Sequence, residues 1–319
     1  TINQFLSGCG FFTFPLIVMN QLLVAKRLDL IGDKAPFVYM PENHHYHDCQ
    51  ATPAEHRDKP DFWEKWFKPV GNANWRTVNE SDVWEFTQDS ILTMYYDPVS
   101  IHAYPYDNEA DTGTAKWLQG HRERAYSVMN QIAVKQEHKA EAEDYFLANF
   151  GSLENPVLGL HMRGTDKFVM KKADPKDYVR LSHEFVEKYG KVAKFFLATD
   201  DKQYLTMMQE EFSTSMVSRP AMRTAKNILY DDVVPKDQKA KEVLMDSLTL
   251  AMTTSLVKSW SGVSEFSVYL RKSWTEFQPF EKVIDVQIGD GGEDHPPPQG
   301  GAKPELSFEE QNDGSYIDV

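Results

Sequence analysis

"NPVLGLHMRGTDKFVMKK", residues 155–172, sets an apolar run directly against a cluster of charge. Val157, Leu158, Gly159 and Leu160 lead through His161 and Met162 into Arg163, Thr165, Asp166 and Lys167. The run has the length and composition of a short buried strand. Downstream the pattern alternates. A helix is predicted near 175–189, a strand at "KFFLA" (194–198), helices near 201–212 and 241–255, a strand at "SLVKSW" (255–260) and a helix at 264–274. Strands separated by helical stretches of that length make βαβ units and a mostly parallel sheet, hence an α/β fold.

Upstream, "TINQFLSGCGFFTFPLIVMNQLLVAKRL" reads as short strand, glycine loop and helix. Gly8 and Gly10 permit a tight turn, and Pro15 suits the first turn of a helix with a buried face. Asn20 and Gln21 interrupt the apolar run, and its flanks are wrong for a signal peptide, so it is expected to be a buried helix. "APFVYMPE" (35–42) reads as a second strand, and residues 43–115, rich in Trp, Pro, Asp and Asn, as long surface loops. Residues 120–150 read as two helical pieces. The Gly-, Pro- and acid-rich stretch at 287–319 is expected to be a disordered tail or a linker.

At 319 residues the chain exceeds the usual size of one core, which predicts two domains, at 1–150 and 151–286. A net charge of -14 argues against broad binding to nucleic acid or anionic membrane, since both need a basic surface. Cys9 and Cys49 make no disulfide framework or zinc spacing, although one bridge between them stays open. The crowded "HHYHDC" (44–49) lacks a partner set at ligand spacing and reads as a loop, so no metal site is expected. The chain starts at Thr1, so its location stays open: the Golgi lumen for a eukaryotic protein with a trimmed anchor, the cytoplasm for a bacterial or viral one.

In open α/β sheets, ligands sit beyond the carboxyl ends of the strands. Three predicted strands here end in polar groups, "LHMRGTDK", "FLATDD" and "VKSWSGVS". Arg163 offers a fixed fork of donors for phosphate oxygens, and Lys167 a second positive charge. Asp200, Asp201 and Asp246 can accept hydrogen bonds from a base or sugar. Ser261, Gly262 and Ser264 lie at a predicted helix start, where free N–H groups favour an anion. The pattern points to an anionic, nucleotide-like ligand. Bland readings stand beside it: a solvated loop for Arg163, Asp166 and Lys167, helix caps for Asp200–Asp201, Ser261 and Ser264, and a satisfied structural acid for Asp246. No GxxxxGK[ST] loop, HExxH, GxSxG, complete GxGxxG or DxD is present.

"HMRGTDK" (161–167) resembles the His-x-Arg-Arg-Thr-Asp-Lys signature of the α1,6-fucosyltransferases. "GCGFF" (8–12), "FWEKWFKPV" (62–70), "FFLATDD" (195–201) and "VLMDSLTLAMTTSLVKSWSG" (243–262) are similar to further family segments, in the same order. The resemblance implies a GT-B-like pair of Rossmann-type domains facing a cleft, with the acceptor side in 1–150 and the nucleotide sugar in 151–286. It implies GDP-fucose as donor, a glycan acceptor, inversion at the sugar carbon and no metal or other cofactor. By position, Arg163 would hold the β-phosphate, His161 and Asp246 would approach the guanosine, and Gly8, Cys9 and Gly10 would close on the donor. Asp166 and Lys167 would orient the loop and the leaving diphosphate, and Ser261 would add a donor near the phosphates. The chain departs from the pattern in three places. The second arginine is Gly164, the Ser-Gln pair becomes Ser261 followed by Gly262 and Val263, and the glutamate of the presumed base falls on Lys171. Asp174 is the nearest acidic substitute and Asp177 the next. A different donor sugar, or a nonenzymatic nucleotide- or glycan-binding protein, are the alternatives.

Overall fold

The computed structural model describes residues 10–27, 38, 61–71, 76, 115–164, 173–221 and 234–286. Gly8, Cys9, Asp166, Lys167, Lys171, the "HHYHDC" stretch, the 35–42 strand apart from Val38, and the 287–319 tail lie outside the described residues.

Helices α1 (Thr13–Arg27), α2 (Phe62–Trp66), α3 (Ala115–Met129) and α4 (Gln136–Phe150) come first. Then follow β1 (Val157–Met162), α5 (Pro175–Tyr189), β2 (Lys194–Thr199), α6 (Lys202–Phe212), β3 (Met216–Val217), α7 (Lys236–Met252), β4 (Ser255–Lys258), α8 (Gly262–Ser273) and β5 (Val283–Asp285). All pairings in the five-stranded sheet are parallel, in the order β3-β2-β1-β4-β5. The chain builds outward from β1 through β2 to β3, then crosses back to lay β4 on the other side of β1. Strand order therefore reverses between β1 and β4, where an open α/β sheet has its crevice.

The period of two along each strand sorts the core into two layers. Leu158, Leu160, Met162, Phe195, Leu197 and Val257 meet Tyr178, Leu181 and Phe185 of α5 and Met208 and Phe212 of α6. On the opposite face Val157, Phe196, Ala198 and Leu256 belong to a larger cluster with residues of α1, α2, α3, α4, α7 and α8. Gly159 belongs to this second face. A β-carbon there would lie 2.7 Å from Thr253 Oγ1 and 3.1 Å from Leu250, so the bare position lets the end of α7 settle on β1.

Helix ends follow from local chemistry. Asp174 caps α5 and Pro175 sits at its first position, while Gly190 closes it at φ 64°. Asp201 caps α6, and Ser261 caps α8. Within the expected 43–115 loops, Asp61 and Glu64 form a reciprocal capping box that starts α2. Several elements differ from the sequence expectation. β4 stops at Lys258 because the chain turns through Ser259 and Trp260 to the Ser261 cap. α7 begins at Lys236, and β3 and β5 are short strands that no periodicity announced. Among the described residues no helix is long and apolar enough to cross a membrane.

Candidate active site

Arg163 is the first residue after β1. Its Nη1 donates to Ser261 Oγ at 3.0 Å, joining the ends of β1 and β4 across the point where strand order reverses. Ser261 is fully buried. Its oxygen also accepts the N–H of Val263 at 3.4 Å, so both lone pairs are engaged and the hydroxyl proton is the donor it has left. Val263 and Ser264 follow in the first turn of the twelve-residue α8, whose amino terminus carries partial positive charge. Ser264 serves the turn itself, its hydroxyl facing the carbonyls of Ser259 at 3.3 Å and Ser261 at 3.5 Å.

On the other side of Arg163, Gly164 N donates to Asp200 Oδ1 at 2.8 Å. Thr199 Oγ1 donates to the Met162 carbonyl at 2.6 Å and accepts from Asp201 N at 3.2 Å. The ends of β1 and β2 are thus bonded to each other directly. His161 is buried in β1, in register with Ala198 on β2 and Lys258 on β4. Its carbonyl accepts from Tyr178 Oη at 2.8 Å and from Ser259 N at 3.3 Å. Burial first of all pushes the Tyr178 hydroxyl well above its ordinary range, so it stays a donor.

Asp174 is exposed and accepts the Lys176 N–H at 2.9 Å as the cap of α5. Burial first raises the half-buried Tyr204 hydroxyl, and the charges of Asp201, Asp200 and Asp174 raise it further. The structure thus brings Arg163 to Ser261 and Asp200 to Gly164. Asp246 sits half-buried along α7, and the Gly10 carbonyl accepts from Thr13 N at the entry to α1. Among the described residues no group of three or more His, Cys, Asp or Glu could hold a metal ion.

Beneath the β4–α8 turn lies a buried charge cluster that the sequence reading missed. Lys258 Nζ lies 2.8 Å from Glu265 Oε2 and also pairs with Asp285. Arg122 of α3 grips Glu265 with Nε at 2.8 Å and Nη2 at 3.0 Å, and reaches Asp285 at 2.9 Å. Lys258 and Glu265 are fully buried and Asp285 nearly so. Two cations face two anions, so the cluster is neutral. Burial alone would raise the Glu265 carboxyl, but Arg122 and Lys258 hold it well below the ordinary carboxylate range. Lys258 and Glu265 flank the turn bearing Ser259 and Ser261, so their ion pair closes that turn at its base. The signal in the sequence was a lone lysine in "SLVKSW" and a lone glutamate in "SEFSVYL", because charges inside apolar runs need partners.

No protein-family model matches the chain, and no curated protein matches its sequence. Among solved structures, a NodZ alpha-1,6-fucosyltransferase soaked with GDP-fucose is 19% identical with a TM-score of 0.31, covering 47% of each chain. The fucosyltransferase NodZ from Bradyrhizobium is 17% identical with a TM-score of 0.29, covering 47% of this chain and 45% of that one. POFUT1 in complex with GDP-fucose is 12% identical with a TM-score of 0.36, covering 50% of this chain and 49% of that one. The chain spans about half the length of these solved structures.

Proposed function

We propose that this chain carries the nucleotide-sugar site of an inverting, metal-independent glycosyltransferase that moves fucose from GDP-fucose to a glycan hydroxyl. The observation that carries the reading is Arg163 bonded to Ser261 across the crevice between β1 and β4, within the "HMRGTDK" signature. A diphosphate there meets a guanidinium beside the positive amino terminus of α8.

In the reaction proposed, an acceptor oxygen forms its bond to the sugar C1 as the bond from C1 to the β-phosphate oxygen breaks. The bonding pair leaves with GDP, and the acceptor proton passes to a base. Arg163 and the donors around Ser261 are fixed before the charge develops, so they cost no reorganisation as it builds on the leaving group. Asp174 is the base of this reading, as an exposed carboxylate at the start of α5, shortly after the signature loop in the chain. By the resemblance of the signature, Asp166 and Lys167 are assigned to the leaving diphosphate, and Gly8, Cys9 and Gly10 to the donor.

A donor panel tests the proposal. GDP-fucose, other GDP sugars and UDP sugars are each assayed for hydrolysis and for transfer to glycans. Preferential release of GDP from GDP-fucose supports the reading. Tight GDP binding with no turnover of any donor and acceptor pair replaces it with a binding protein. Turnover of another sugar keeps the scaffold and changes the donor, an outcome that Gly164 in place of arginine makes specific to test.

A further inference from the structure

Resting on the phosphate reading of Arg163, we infer that Gly164 is a positioning residue, holding Arg163 at the crevice through direct packing of the β1 loop on the Asp200–Asp201 turn. Gly164 is buried, and a β-carbon on it would lie 2.5 Å from Asp201 Cβ, 2.6 Å from Oδ2 and 3.0 Å from Cγ. Real β-carbons do not approach that closely, so any side chain at 164 must move one of the two loops. Its φ lies outside the left-handed region, so the constraint is space.

Asp201 cannot easily yield. Its Oδ1 accepts Gln203 N at 2.7 Å as the cap of α6, and its own N–H is tied to Thr199 Oγ1 at 3.2 Å. Thr199 is in turn bonded to the Met162 carbonyl, one residue before Arg163. The circuit closes through Gly164 N to Asp200 Oδ1 at 2.8 Å. Residues 162–164 are therefore clamped from the β2 side, while the Arg163 guanidinium is held from the β4 side by Ser261. Charge divides the same way. The β2 side offers carboxylates and the β4 side offers donors, so the anionic part of a ligand belongs over β4. The glycine that stands where the resembling signature has arginine is on this account a required close contact. An arginine placed there would displace the clamp instead of adding a useful cation.

The test is a double-mutant cycle read by calorimetric titration with GDP and with inorganic pyrophosphate. Gly164→Ala should weaken binding by roughly 10- to 100-fold, the scale of overpacking a filled site. Gly164→Arg should bind no better than Gly164→Ala despite its added charge. In an Asp201→Gly background, which leaves an acceptable helix cap, Gly164→Ala should cost less than about threefold. Thermal unfolding of each variant separates the positioning role, which predicts lost affinity in a protein folded at the titration temperature, from general destabilisation. Wild-type binding together with undiminished binding by Gly164→Ala or Gly164→Arg, or an equal loss in both backgrounds, overturns the inference alone. A wild-type protein that binds neither GDP nor pyrophosphate overturns the phosphate reading and the inference with it.

Discussion

Replacing Lys258 by Met removes one cation from the neutral cluster of Arg122, Lys258, Glu265 and Asp285 while keeping an apolar stem in the strand. Glu265 and Asp285 then face only Arg122, in a site where Lys258 and Glu265 have no solvent exposure. Removing one partner of a buried pair costs about 3–5 kcal/mol, chiefly because the surviving charge is left uncompensated. At roughly 2–4 °C per kcal/mol for a chain of this order of size, the melting midpoint should fall by about 6–20 °C. Lys258→Met/Asp285→Asn removes one charge of each sign and leaves the two-point grip of Arg122 on Glu265 intact. It should recover more than half of that loss. Thermal unfolding followed by circular dichroism, with urea titration for the free energies, measures both. A single variant that loses under about 1 kcal/mol, or a double variant whose losses simply add, would refute the argument that neutrality within the cluster matters.

Three further outcomes follow from the same coordinates. Gly159→Ala drives a β-carbon toward Thr253 Oγ1, which is bonded to the Leu250 carbonyl at 2.8 Å, and should cost about 1–3 kcal/mol in urea unfolding; a neutral result would contradict the close packing of α7 on β1. The Glu265 carboxyl is depressed in the folded state, so its contribution is present above the ordinary carboxylate pKa of about 4.3 and is lost as pH falls through the folded value. Stability should therefore drop with acidification below about pH 4.5, and less steeply in Glu265→Gln; equal slopes in pH-dependent urea titrations would contradict the pairing. Asp174→Asn should lower turnover by roughly 10²–10⁴-fold, and an unchanged rate would dispose of its assignment as the base.

The α/β alternation was legible because β1 and β2 are nearly continuous apolar runs and α5 and α6 carry aspartate caps. The position of the crevice was not. It depends on which side of β1 receives β4, and β3 and β5, which complete the order, are too short to carry any periodic signal. Ser261 caps α8, as local spacing allows, and its oxygen also receives Arg163, a contact that only the fold creates. Asp201 and Asp174 likewise cap helices, as local spacing allows. The Arg122–Glu265 pair spans 143 positions, beyond the reach of any local pattern. Gly164 looked in sequence like a lost charge, and only the approach of Asp201 gives it a steric meaning.

The central claim is that Arg163, held by Ser261 between β1 and β4, binds the diphosphate of a nucleotide. Calorimetric titration of GDP and UDP into the wild-type protein and into Arg163→Ala measures it most directly. The account predicts GDP binding by the wild type that exceeds UDP binding, and a loss of about 10- to 150-fold in the variant, the worth of one charge-assisted hydrogen bond of roughly 1.5–3 kcal/mol. GDP affinity that is undiminished in a folded Arg163→Ala protein would contradict it.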